Sequence, residues 1–192
     1  MRPAWGAEID IRSKDKDALY LAHDPFAFGV ELDQWLAEFK RRKIIGPLIL
    51  NTKEDGLESA CLDRLKAHNI DNFFFLDTTI PTLVKWTTIK NVSHFAVRFS
   101  RYEPLSAVMA FAGKAAWVWV DCFDGLPPNL ADVAKLKKVF RLCLVSPELQ
   151  IGWTPDLASK IGDFLPFYSL VDAVCTKRPE LWPAEKVPSR AS

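Results

Sequence analysis

Apolar residues arrive in two alternating rhythms along the chain. Seven short, nearly continuous runs at 6–12, 46–52, 71–77, 93–100, 115–122, 140–146 and 171–177 read as β-strands. Asn72-Phe73-Phe74-Phe75-Leu76 and Ala116-Trp117-Val118-Trp119-Val120 are apolar on both faces, as strands covered on both sides require. Between the runs the spacing changes to helical. Leu32, Trp35, Leu36 and Phe39 form one stripe, Leu57, Cys61, Leu62 and Leu65 a second, and Leu105, Val108, Met109 and Ala112 a third.

After a long first interval the runs return every 22 to 31 residues, the cadence of strand–helix units that build a parallel sheet. An open doubly wound sheet would advertise a glycine-rich phosphate loop after its first strand, and this chain has none among its 8 glycines. Several strands instead end in polar residues: Asp10, Lys53, Asp77, Arg98, Asp121 and Lys177. Chemistry delivered from many strand ends is the habit of (β/α) barrels. The expected fold class is therefore α/β, a TIM-type barrel that is incomplete at about seven parallel strands. A short return strand at 19–23 is expected beside the first. One domain over residues 1–182 and a polar tail at 183–192 complete the plan. A barrel short of one strand leaves two edges, which a second copy of the chain would cover.

Composition narrows the function classes. The chain has 192 residues, 49% hydrophobic and 26% charged, with a formal net charge of +1. That balance gives no electrostatic case for nucleic acid or an anionic membrane surface. The basic clusters at 40–43 and 135–138 fall at helix ends, where cations complement the dipole. The four cysteines are far apart and form no metal-ligand spacing, so a reducing, cytoplasmic compartment is expected. No apolar run reaches the roughly 20 residues that span a bilayer, so no stable membrane insertion is expected.

The chemistry concentrates in residues 6–24. Glu8 and Asp10, two apart in an apolar strand, leave it on one face. A polar stretch from Ser13 to Asp17 leads into the return strand, which closes on His23-Asp24. A tight turn centred near residues 15 and 16 would set position 23 opposite position 8. Two carboxylates with an imidazole nearby suit a hard divalent ion, Mg2+ or Ca2+, with an acid or base beside it. Arg98 lies in an apolar strand and needs a partner such as Asp121 or Asp10, or an anionic substrate. Trp117 and Trp119 share a strand face with Asp121; core packing is the commoner use of such a pair, with Trp119 the nearer to a ligand.

The segments Glu8-Ile9-Asp10-Ile11-Arg12, His23-Asp24-Pro25 and Leu48-Ile49-Leu50-Asn51-Thr52-Lys53 together resemble the glycerophosphodiester phosphodiesterases. Those are phospholipase-C-like phosphodiesterases built on a TIM barrel. The likeness extends through Ala96 to Ser100 and Trp117 to Asp121. It implies Glu8 and Asp10 as ligands of Mg2+ or Ca2+, His23 as a catalytic histidine, and Lys53 as a catalytic cation neutralising phosphate. Arg98, Trp119 and Asp121 follow as substrate contacts, and the ligand as a small phosphodiester or phosphorylated polyol. Two features depart from the family. Asn51 stands where a third metal-binding glutamate is expected, a degenerate metal position. The early His-Arg-Gly segment that supplies a second histidine is absent from this chain, so the first barrel strand is expected to be missing. A non-catalytic barrel binding phosphoesters or polyols is the alternative.

Overall fold

The computed structural model describes residues 5–15 and 18–183; the polar tail expected over 183–192 lies, apart from Pro183, outside them. Chain order runs β1 (Ala7–Ser13), β2 (Leu19–Leu21), α1 (Leu32–Arg41), β3 (Leu48–Thr52), α2 (Glu58–Ala67), β4 (Phe73–Leu76), α3 (Ile80–Val84), β5 (Ala96–Phe99) and α4 (Leu105–Met109). It continues through β6 (Trp117–Val120), α5 (Leu130–Lys137), β7 (Arg141–Val145), α6 (Glu148–Ile151), α7 (Leu157–Phe164) and β8 (Ala173–Cys175). Each of the seven apolar runs contains one parallel strand. The short β2 is the antiparallel return strand.

Two four-stranded ladders, β2-β1-β3-β4 and β5-β6-β7-β8, make up the sheet. Within them β1, β3 and β4 are parallel, as are β5 to β8. A parallel bridge between Phe75 and Phe95 joins the ladders, with the Phe75 N–H donating to the His94 carbonyl at 2.9 Å. Among the described residues no ladder joins β8 back to β1, so the barrel is open there. A cavity of about 470 Å³ occupies that slot, between Gly6–Glu8 on one side and Ala173–Cys175 on the other.

Strand alternation sorts side chains into two layers. Phe73 and Phe75 turn outward to the helices, joining Leu36, Cys61, Leu65, Val118 and Leu144 in the larger core. Phe74 and Leu76 turn inward with Ile49, Ala96, Trp117, Trp119, Cys143 and Val145, filling the barrel. Phe74 stacks on Trp117 at 4.5 Å between centroids. Every residue of β3, β4 and β6 is buried, and β4 and β6 accordingly read as unbroken apolar runs.

The helices form where a stripe can seal the outer face. α1 buries Leu32, Leu36 and Phe39, carries Asp33 in its first turn, and ends on Lys40 and Arg41. α5 starts at Asn129, whose side-chain oxygen accepts the Asp132 N–H at 3.2 Å. All four cysteines are free thiols, and burial pushes Cys61 up to about 12. No helix of the described residues is long and apolar enough to cross a membrane.

Candidate functional site

The register of β1 against β3 sets the first group of polar side chains. Glu8 lies beside Ile49 and Asp10 beside Asn51. Register partners in parallel strands share a face, so Glu8, Asp10, Asn51 and Lys53 belong to the inner face, toward its C-terminal end. The Lys53 ammonium lies 2.9 Å from Asp10 Oδ1, with both side chains about four-fifths buried. Asn51 is buried and hydrogen-bonds the Glu8 carboxylate, leaving its own Oδ1 without a partner. An orphaned buried acceptor is costly unless something else meets it.

Burial pushes the Glu8 carboxyl above its ordinary value, with Asp10 adding to the rise and the Asn51 hydrogen bond and Lys53 opposing it. By surface area Glu8 is nonetheless exposed, because it borders the open slot. That solvent access moderates the shift without reversing it. A carboxyl whose pKa rises on folding costs stability when ionised. The cost appears as pH climbs through the raised value and vanishes below the ordinary value of 4.5. Glu8→Gln is thus expected to raise the melting temperature at pH 7, a gain that disappears in acid; thermal unfolding across pH checks it.

A second group sits across the barrel mouth. The Arg98 guanidinium donates to Asp121 through one nitrogen and to Asp77 through another. Asp121, with no exposed side-chain surface, also accepts from Gln150 Nε2 at 2.7 Å, from the Cys122 N–H at 2.9 Å and from Trp119. Burial drives Asp121 upward while Arg98 pulls it back. Asp77 follows β4 with φ 59°, a left-handed backbone that costs a non-glycine residue energy. Its charge reaches both Asp121 and Glu8, which couples the two groups. Trp119 is 6% exposed and packs in the barrel interior, its polar edge serving Asp121.

His23 stands apart from both groups. The β1–β2 ladder pairs Ile11 with Leu21, Arg12 with Tyr20 and Ser13 with Leu19, and the Ala22 N–H reaches the Asp10 carbonyl at 3.1 Å. This register is one residue beyond the expected one, so Asp24 rather than His23 would fall level with Glu8. The ladder stops before that point. Arg12 Nε and a terminal nitrogen donate to the His23 carbonyl at 3.3 and 3.1 Å, turning the chain outward. The imidazole is 73% exposed, with Nδ1 2.8 Å from Asp24 Oδ1. His68 pairs with Asp33 at the end of α2, and His94 stacks on Phe73 at 4.6 Å ahead of β5. His23 is therefore the one histidine at the C-terminal ends of the strands.

Gly29 anchors the loop that carries His23. A Cβ there would lie 1.8 Å from the Leu21 backbone oxygen, closer than any real contact. Gly29→Ala must therefore displace β2 or the loop. We expect it to cost about 1–2 kcal/mol in denaturant unfolding.

Oxygen donors at the first group suit a hard cation. Glu8 and Asp10 bring two carboxylates and Asn51 its unpartnered oxygen, on adjacent strands. Among the described residues no group of three Asp, Glu, His or Cys side chains is placed to hold a metal ion. Sequence reasoning singled out Glu8, Asp10, Asn51 and Lys53, which are brought together, and Arg98, Trp119 and Asp121, which form the second group. Asp77 was visible only as a polar strand end. Gln150 carried no signal, since the short α6 that presents it follows no strand pattern.

No protein-family model matches the sequence, and no curated protein matches it. Solved structures do match by shape. A candidate glycerophosphodiester phosphodiesterase from Galdieria sulphuraria aligns at TM-score 0.67 and 15% identity, covering 91% of this chain and 82% of that one. The glycerophosphodiester phosphodiesterase from Agrobacterium tumefaciens str. C58 aligns at TM-score 0.65 and 14% identity, over 92% and 84%. A glycerophosphoryl diester phosphodiesterase from Parabacteroides distasonis aligns at 0.60 and 13%, over 97% and 79%. This chain has the fold of glycerophosphodiester phosphodiesterases, as an α/β barrel left open between β1 and β8.

Proposed function

We propose that the protein hydrolyses a small phosphodiester with the help of a bound Mg2+ or Ca2+ ion. The observation that carries the reading is the set Glu8, Asp10, Asn51 and Lys53, aligned on the inner face of two adjacent strands with an unpartnered amide oxygen among them. Glu8, Asp10 and Asn51 would hold the ion. When bound it supplies Lewis-acid polarisation of a phosphoryl oxygen.

The chain's own residues do the rest. Lys53, held in place by Asp10, sets a fixed positive charge where negative charge grows on the phosphoryl oxygens. Arg98 faces the same mouth, and Asp77 and Asp121 fix its orientation. Trp119 floors the site and steadies Asp121. As the bond from phosphorus to the leaving oxygen breaks, His23 donates its proton to that oxygen. A water oxygen takes the vacant position on phosphorus and gives up its proton to solvent. With its ring mostly in solvent and Asp24 on Nδ1, His23 can reload from water. Cytoplasmic location fits the four free thiols.

The test is turnover of a glycerophosphodiester with added Mg2+ or Ca2+ and after chelation. We expect metal-dependent release of a phosphomonoester. Tight phosphoester binding with no turnover under any metal would point to the binding-protein alternative, and neither binding nor turnover would remove both.

A further inference from the structure

The hydrogen bond of the His23 imidazole goes to Asp24, the next residue, and so moves with the loop instead of fixing it. What holds His23 is its backbone, and that is held from β1. The Ala22 N–H donates to the Asp10 carbonyl at 3.1 Å. Two residues further along the same strand, Arg12 donates from Nε and a terminal nitrogen to the His23 carbonyl, at 3.3 and 3.1 Å. Both contacts start from the strand that carries Glu8 and Asp10.

Arg12 is in turn held from the end of β3. Its other terminal nitrogen lies 3.5 Å from Glu54 Oε1, and Glu54 accepts from Ser13 Oγ at 2.8 Å and from the Ser13 N–H at 3.4 Å. Glu54 directly follows Lys53. One guanidinium, its side chain 15% exposed, therefore joins the carboxylate strand, the lysine strand and the histidine loop. A planar fork engaged on two sides fixes direction as well as distance, which an ammonium does not. The base of the loop has separate support. The Leu21 N–H donates to the Val30 carbonyl at 2.9 Å, and Tyr20 bridges to Glu31. Loss of Arg12 thus frees the start of the loop while the hairpin stays formed.

We propose that Arg12, braced by Glu54, is the positioning residue that sets His23 at the barrel mouth, and that it acts on proton transfer to the leaving oxygen. The brace stands on the geometry; its effect on turnover rests on the phosphodiesterase reading. Two substrates separate the roles. A glycerophosphodiester expels an alkoxide that needs a proton, whereas a p-nitrophenyl phosphodiester expels a phenolate that leaves without one. Arg12→Met should lower kcat on the first by roughly thirtyfold or more, and on the second by less than roughly threefold. Adding Arg12→Met to His23→Ala should cost nothing further, since one acts through the other. Glu54→Gln, which keeps an acceptor for Ser13, should show a smaller loss of the same kind.

Backbone NMR order parameters read the brace without turnover. At His23 and Asp24 they should fall from about 0.85 in the wild type to below about 0.6 in Arg12→Met, with Leu19 to Leu21 unchanged. That fall in a chain that cleaves neither ester would uphold the brace and remove the phosphodiesterase reading. Order parameters that stay at the wild-type level in Arg12→Met overturn the proposal. So do equal losses on both esters, an effect confined to KM, or additive losses in the double variant.

Discussion

Asp10→Ala is expected to lower kcat/KM for a phosphodiester on the order of a thousandfold, the scale of losing an electrostatic contributor at a reacting centre. The effect is large because one side chain serves two groups. Under the proposed function Asp10 would offer an oxygen to the cation, and at 2.9 Å it fixes the Lys53 ammonium. Removing it also strands a lysine whose side chain is only 19% exposed. Lys53→Met separates the two roles. It should lower turnover while raising affinity for divalent ions, because Asp10 no longer divides itself between a lysine and a metal. Steady-state kinetics with metal titration reads both, and unchanged kinetics in both variants would remove these residues from the chemistry.

Arg98→Met is expected to destabilise the fold by about 3 kcal/mol, the scale of breaking a buried ion pair by removing one partner. Asp121 has no exposed side-chain surface and would keep Gln150, Trp119 and the Cys122 N–H but no counter-charge. Burial already raises the Asp121 pKa in the wild type, and losing Arg98 raises it further. The penalty belongs to the ionised carboxylate. It is therefore largest above the raised pKa and fades as pH falls through it. Denaturant unfolding of Arg98→Met at several pH values measures this. Adding Asp121→Leu should restore part of the stability, since the buried charge leaves with its partner.

Much of the fold was legible because strands covered on both faces leave continuous apolar runs. Phe73 to Leu76 and Trp117 to Val120 are buried at every position. Glu8 and Asp10 were legible for the complementary reason. Carboxylates two apart in an apolar strand share a face, and parallel register with β3 adds Asn51 and Lys53. The hairpin register was not. Asp15 and Asp17 both suit a turn, so the pattern left its centre open; the Asp15 carboxylate accepts the Ala18 N–H at 3.0 Å, and a one-residue slip moved His23 from opposite Glu8 to the rim. The left-handed backbone at Asp77, which lets one carboxylate face both Arg98 and the Glu8 group, leaves no trace in a sequence pattern. The open edge followed from counting strands against the eight that close a barrel.

The central claim is that the Glu8–Asp10 face catalyses phosphodiester hydrolysis. Phosphorus NMR of a glycerophosphodiester incubated with the protein and Mg2+ or Ca2+ tests it most directly, run beside a Glu8→Ala/Asp10→Ala double variant. The account predicts a phosphomonoester resonance that grows only with the wild-type chain and only with the metal present. A monoester signal of equal rate in the double variant, or none in either sample, would contradict it.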